Sequence, residues 1–304
     1  MSRTTLAPVP ARTVKTRRIA IDYPHGSAMP RHYVDHDIVM SHIVTNLSCM
    51  FPEGEDFFVR SVRNYRDRVS DPELKKQVAG FIGQEAMHGR EHRNFNDGLG
   101  ALGYPTRLVD RGTKHGLALL ARVTPKSHQL AVTAALEHYT ATLAEKILAD
   151  DDARAMLETV PEVESLFTWH ALEESEHKSV AFDVYQHCVG NHRRRVIVMQ
   201  ATTVGFLLGI VASTVASLAV DPATYRHPIR LVRSLAALRR SPFLGKEVVA
   251  HLWSYNARTF HPDDRDTSTL MEHWRGQLFG AGGTMKELVL TGEAAPALGT
   301  PEAN

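Results

Sequence analysis

The chain has 304 residues, 43% of them hydrophobic and 23% charged, with a formal net charge of +1. That balance suits a globular protein with a substantial core and excludes nucleic acid as a partner implied by overall charge. Only two cysteines occur, Cys49 and Cys188, without C-x-x-C spacing, so a disulfide framework and a thiolate zinc site are excluded and a cytoplasmic, reducing compartment is expected.

Residues 1–33 open with Arg3, Arg12, Lys15, Arg17 and Arg18 and no acid in the first twenty positions. They lack the apolar run of a secretory signal and are expected to form a disordered basic arm. Order is expected from Val34, and residues 34–192 carry four long helical patterns. The first runs from Pro52 to about Val69, with proline in its opening turn. Ser70-Asp71-Pro72-Glu73 reads as a capping box for the second, which stops at Gly103-Tyr104-Pro105. The third spans Lys126 to Leu148, and the fourth runs from Pro161 to Val189, before Gly190-Asn191. No comparable stretch alternates with period two, so the fold class is all-α: an antiparallel four-helix bundle with an additional C-terminal hydrophobic and basic helical region.

That additional region covers residues 193–279. Val196 to Val220 is twenty-five residues without a charge, between Arg193-Arg194-Arg195 and Asp221-Pro222. A hydrocarbon core of about 30 Å needs roughly 20 such residues, so the segment reads either as a contact with the inner membrane or as a buried helix diluted by Thr and Ser. From Pro222 to Lys246 there is no acid, while Arg226, Arg230, Arg233, Arg239, Arg240 and Lys246 interleave with Leu231, Val232, Leu235 and Leu238. Such a segment suits an anionic lipid surface or a solvated face on the bundle. Residues 280–304 are expected to be a mobile tail.

The chemistry lies in two matching motifs. On the second helical pattern Leu74, Val78, Phe81, Glu85, His88, His92, Phe95 and Leu99 share one face, which is apolar except for Glu85, His88 and His92. On the fourth, Val163, Phe167, His170, Glu174, His177, Ala181 and Val184 do the same. Ionisable groups in a core stripe need partners, and a metal ion is one. A dinuclear carboxylate site in a bundle takes Glu-x-x-His from two helices and a Glu from each of the other two. Glu55, on the stripe of Phe58, Val59 and Val62, is preferred to Glu53. Glu137, among Leu130, Ala134, Ala141 and Ala144, is preferred to Glu145. The expected ligands are therefore Glu55, Glu85, His88, Glu137, His170, Glu174 and His177, with His92 and Glu145 as further ligand or supporting candidates. Nitrogen and oxygen donors suit iron, with manganese or zinc as alternatives.

The strings FPEGEDFFVRSVRNYRDR, FIGQEAMHGREH, ALEHYTATLAE and WHALEESEHKSVAFDVY resemble a bacterial group of predicted metal-dependent hydrolases, within the ferritin-like di-iron carboxylate superfamily. His170-x-x-x-Glu174-x-x-His177 is also similar to the ligand pattern of arylamine N-oxygenases, in which an additional histidine completes the site. The resemblance spans about residues 35–275 and implies a ferritin-like bundle holding two iron ions. The preferred expectation is an oxidase or oxygenase acting with dioxygen on a small or lipid-like organic substrate. Hydrolysis by metal-activated water is the alternative, and metal storage the third reading. Expected partners are the small-molecule substrate, a separate electron donor, a membrane surface met through residues 196–220, and a second copy of the chain.

Overall fold

The computed structural model describes residues 9–24 and 29–290; the other residues of the expected arm, and positions 291–304 of the expected tail, lie outside the described residues. Helix α1, Ile38–Arg63, begins well before Pro52, because the Asp37 side chain accepts from the Met40 N–H and caps it there. Pro52 sits inside this helix, where its missing N–H leaves the Ser48 carbonyl free. Asn96 Nδ2 donates to that carbonyl at 3.0 Å instead. Helix α2, Pro72–Ala101, is capped by Asp71, which accepts from the Leu74 N–H, rather than by Ser70. Gly103, at φ +90, ends it in the left-handed region that favours glycine.

Helix α3, Thr106–Val123, was not among the expected elements. Then come α4, Lys126–Ala149, and the short α5, Asp151–Ala155. The fourth pattern is two helices, α6, Pro161–His177, and α7, Val180–Cys188, broken at Lys178-Ser179. Helices α1, α2, α4 and α6 with α7 surround one core, and the pairings Ser48 with Asn96 and Asp56 with Arg93 show α1 and α2 antiparallel. The fold is all-α: among the described residues the only β pairing is a single bridge. Two apolar clusters fill the bundle, one around Phe95, Trp169 and Leu172, the other around Phe57, Phe81 and Val184. Between these clusters lies a polar layer.

The expected disorder of residues 1–33 is corrected for the segment 9–24. Ile19, Ile21 and Tyr23 are buried, and Ile19 pairs with Val289. The segment crosses α2 where Gly80 and Gly83 leave room: a Cβ there would lie 2.2 Å from the Val14 carbonyl oxygen and 2.0 Å from Thr16 Oγ1. Its cations meet acids distant in sequence, Arg12 with Asp183 and Asp263, Arg17 with Glu173 and Glu176. Residues 280–290 are packed as well, with Met285 fully buried and the Leu290 N–H donating to the Arg18 carbonyl at 2.7 Å.

Helix α8, His192–Ala219, lies along α1 and α4, tied by Asn46 Nδ2 donating to Thr214 Oγ1 at 3.2 Å and Tyr139 to Thr203 Oγ1 at 2.9 Å. Its end is clasped by Asp221, which meets His32 Nε2 at 2.8 Å, His42 Nε2 at 2.9 Å and Arg31 Nε at 3.1 Å. His42 Nδ1 in turn meets Ser217 Oγ at 2.6 Å, so this buried cluster is satisfied by its own hydrogen bonds. The outer face of α8 is bare: Val204, Leu208 and Val215 are 58 to 65% exposed. The helix is long and apolar enough to cross a membrane, yet little of it is buried by the fold. Helices α9, Pro222–Arg226, α10, Pro228–Ala237, α11, Lys246–Ser254, and α12, Ser268–Phe279, complete the C-terminal region.

Candidate metal centre

The polar layer contains all seven expected ligands, Glu55 from α1, Glu85 and His88 from α2, Glu137 from α4, and His170, Glu174 and His177 from α6. None is more than 4% exposed. Their donor atoms converge in three overlapping sets, Glu55 with His88 and His170, Glu85 with Glu137 and His177, and Glu85 with His88 and Glu174, each within 4.8 Å. Glu174 is central: its Oε1 lies 3.1 Å from His170 Nε2, 3.4 Å from His177 Nε2 and 3.6 Å from His88 Nδ1.

Hydrogen bonds behind the layer fix which imidazole nitrogen faces inward. Asn96 donates Nδ2 to the Ser48 carbonyl, so its Oδ1 accepts from Ser48 Oγ at 2.7 Å. With its proton so used, Ser48 Oγ accepts from His92 Nδ1 at 2.8 Å. His92 Nε2 is then an acceptor and takes the proton of His170 Nδ1 at 2.7 Å. His170 Nε2 is left with a lone pair aimed at Glu174. Gln84 acts in the same way on His177: its Nε2 donates to Glu176 at 2.9 Å, and its Oε1 accepts from His177 Nδ1 at 2.9 Å. His88 has no such hydrogen bond among the described residues; its Nε2 lies 3.2 Å from Glu173 and its Nδ1 3.6 Å from Glu174 at the centre.

Lone pairs and carboxylates are thus directed at one another without an intervening donor. Both carboxylate oxygens of Glu55, Glu85 and Glu137, together with Glu174 Oε2 and His177 Nε2, have no hydrogen-bond partner among the described residues. Burial, then the neighbouring carboxylates, pushes Glu55 and Glu137 well above the ordinary range, and burial raises Glu85. Burial and the adjacent His170 hold His88 and His92 well below theirs. For Glu174, burial acts upward but His177 and His170 overcome it and hold the carboxyl low; His177 is raised against its own burial, chiefly by Glu174. Buried polar groups of this kind require partners, and four carboxylates match the charge of two divalent cations. The donor set, nitrogen and oxygen with no sulfur, fits such ions.

Of the two further candidates, His92 takes the supporting place and Glu145 takes neither. His92 has both nitrogens engaged, by Ser48 and His170, and so has no lone pair for a metal; it orients His170. Glu145 lies outside the layer and pairs with Arg265, because eight residues beyond Glu137 the helix has turned it away from the centre. Sequence reasoning missed Gln84, Ser48, Asn96 and the carboxylates Glu173 and Glu176. The latter pair is held by Arg17, at 2.9 and 2.8 Å, and Glu176 also by Arg275 at 2.7 Å. Burial pushes Glu173 up to about 8 despite Arg17. A signal was present: α6 is buried on every side from Leu166 to His177, so polar residues off the ligand stripe had to meet partners too.

Aromatic rings close the layer on several sides, Trp169 edge-on to His88, Phe81 to His177 and Phe51 to His92. One side is open. A cavity of about 1210 Å³ between α1, α3, α4 and α8 reaches Glu55, His170 and Glu174.

No curated protein and no solved structure matches the chain significantly. A family model described as predicted metal-dependent hydrolase matches residues 15–266, most of the chain. That finding overturns the preferred expectation of dioxygen chemistry and supports the alternative, hydrolysis. The chain is an enzyme of the predicted metal-dependent hydrolase family.

Proposed function

We propose that the protein hydrolyses an apolar small-molecule substrate at two divalent cations held by Glu55, Glu85, His88, Glu137, His170, Glu174 and His177. The observation that carries this reading is the shared wall: Glu55, His170 and Glu174 border both the polar layer and the cavity. Bound there, two cations would supply Lewis acidity, polarising the scissile group and making water acidic enough to attack near neutral pH. Iron is the ion expected first, with manganese and zinc as alternatives. Glu174, near all three imidazoles, is suited to serve both ions. The side open to the cavity sets the direction of substrate approach, while Trp169, Phe81 and Phe51 keep bulk water from the other sides. Hydrolysis consumes only water and calls for no electron donor.

The reading extends to location. The bare apolar stripe of α8 and the exposed basic residues Arg226, Arg230 and Arg233 that follow it in the chain favour an anionic lipid surface. Burial of Arg195, Val198, Met199, Thr214 and Ser217 against the bundle favours a helix lying in that surface over one that spans it. The free cysteines Cys49 and Cys188 agree with the cytoplasmic side of the inner membrane.

The test is metal analysis together with turnover of p-nitrophenyl acetate and bis-p-nitrophenyl phosphate. Two ions per chain, turnover that is lost on chelation, and loss of one ion with Glu174→Ala are expected. Turnover indifferent to chelation, or Glu174→Ala keeping full metal content, would overturn the reading. Sedimentation with phosphatidylglycerol vesicles, but not with phosphatidylcholine vesicles, checks the surface; Leu208→Asp should abolish it.

A further inference from the structure

The cavity beside the metal centre is larger than the ~300–1,000 Å³ common for small-molecule sites. Its wall follows α1 from Met40 to Phe58 and α8 from Ile197 to Ala216. At 1.5 Å per residue these edges are about 27 Å long, so the space is a trough and not a globular pocket. Among the described residues no Lys, Arg or Asp lines it, and its acidic residues are Glu55 and Glu174, both in the polar layer. Its carboxylates are therefore at one level, fifteen residues along α1 from Met40, or about 22 Å, and the α1 wall between is apolar; the other polar lining, such as Thr113, His128 and Ser213, carries no acid.

Glycines widen this trough. Gly54 on α1, Gly112 and Gly116 on α3, and Gly205 and Gly209 on α8 all face it. Glycine is a poor choice inside a helix, and close packing does not explain these positions. A Cβ at Gly54, Gly112, Gly116 or Gly205 would meet nothing within 4 Å, so the absent side chains leave open space.

We propose that the trough seats a long hydrocarbon chain and that, resting on the hydrolase reading, the substrate is a long-chain carboxylic ester. Its carbonyl lies at the level of Glu55, His170 and Glu174 and its chain along the apolar wall. Water's oxygen bonds to the carbonyl carbon, the acyl–oxygen bond breaks, and the alcohol leaves with one of water's protons; nothing is oxidised or reduced.

Binding is tested apart from activity, with the full-length protein and a dansyl-labelled undecanoic acid as the probe. Saturable binding is expected, weakened by about tenfold or more in Gly116→Leu and Gly205→Leu, each of which removes room for several methylenes. Leucine is the better helix former, so these variants should fold, as melting would verify. Gly98→Leu, on α2 and outside the trough, should bind the probe as the parent does. Among p-nitrophenyl esters, kcat/KM should rise from butyrate to palmitate, by up to about fourfold per methylene. Absence of saturable binding, or equal affinity in the trough variants, overturns the chain seat. Turnover of short esters without probe binding overturns it while sparing the hydrolase reading. Probe binding that responds to the variants, with no turnover of any ester, supports the seat but overturns the ester substrate and the hydrolase reading on which it rests.

Discussion

Replacing His92 by Phe tests whether orientation of His170 matters to metal binding. The surroundings favour an aromatic ring: Phe51 and Phe167 lie against His92, with ring centroids 4.8 and 5.6 Å away. The substitution preserves the shape but removes the acceptor of the 2.7 Å bond from His170 Nδ1. A buried donor left without its acceptor costs about 1–3 kcal/mol. The imidazole, no longer held in one tautomer, then presents its lone pair to the centre only part of the time. Loss of such a supporting bond lowers metal affinity by about 10–100-fold, or roughly 1.4–2.7 kcal/mol. Competition with a fluorescent chelator measures this, with His170→Ala and the double variant completing a cycle. Because His92 is argued to act only through His170, the double variant should lose little more than His170→Ala alone. Unchanged affinity in His92→Phe, or losses that simply add, would refute the reasoning.

The raised positions of Glu55, Glu137 and His177 mean that the metal-free centre keeps protons to higher pH than free side chains would, and entering cations must displace them. Apparent affinity should therefore rise with pH, by about tenfold per unit for each proton released, and calorimetry in buffers of different ionisation heat should detect those protons. Arg17→Gln removes hydrogen bonds to the buried Glu173 and Glu176; with Glu173 pushed up to about 8 and Glu176 still held by Arg275, it should destabilise the protein by about 1–3 kcal/mol in urea unfolding near neutral pH. Adding Glu173→Gln should recover part of that loss. Glu145→Gln breaks only a pair with the half-exposed Arg265, so metal content should be unchanged and stability should fall by no more than about 1 kcal/mol.

The convergence of the candidate ligands was legible because two Glu-x-x-His motifs interrupt otherwise apolar stripes, a pattern that calls for partners inside the core. What surrounds the ligands was harder to read. Pro52 looked like a helix opening, since nothing nearby in sequence shows that Asn96 will take up the carbonyl it frees. The arginines of the first segment looked solvated because their acids lie far along the chain. Helix α3 was missed although its periodicity is plain: Leu108, Val109, Gly112, Gly116, Leu117 and Leu120 share one face, but two glycines and a mostly exposed remainder made it read as a connection. For α8 the composition allowed burial or lipid contact, and the fold leaves most of its apolar surface uncovered.

Arg17 ties the opening stretch of polypeptide to Glu173, which faces the same His88 ring whose other nitrogen faces Glu174. If cations in the layer favour the fastened form, the fastened form must retain them more tightly by the same factor. Protease sensitivity near Arg17, measured with and without added metal, would then read that coupling.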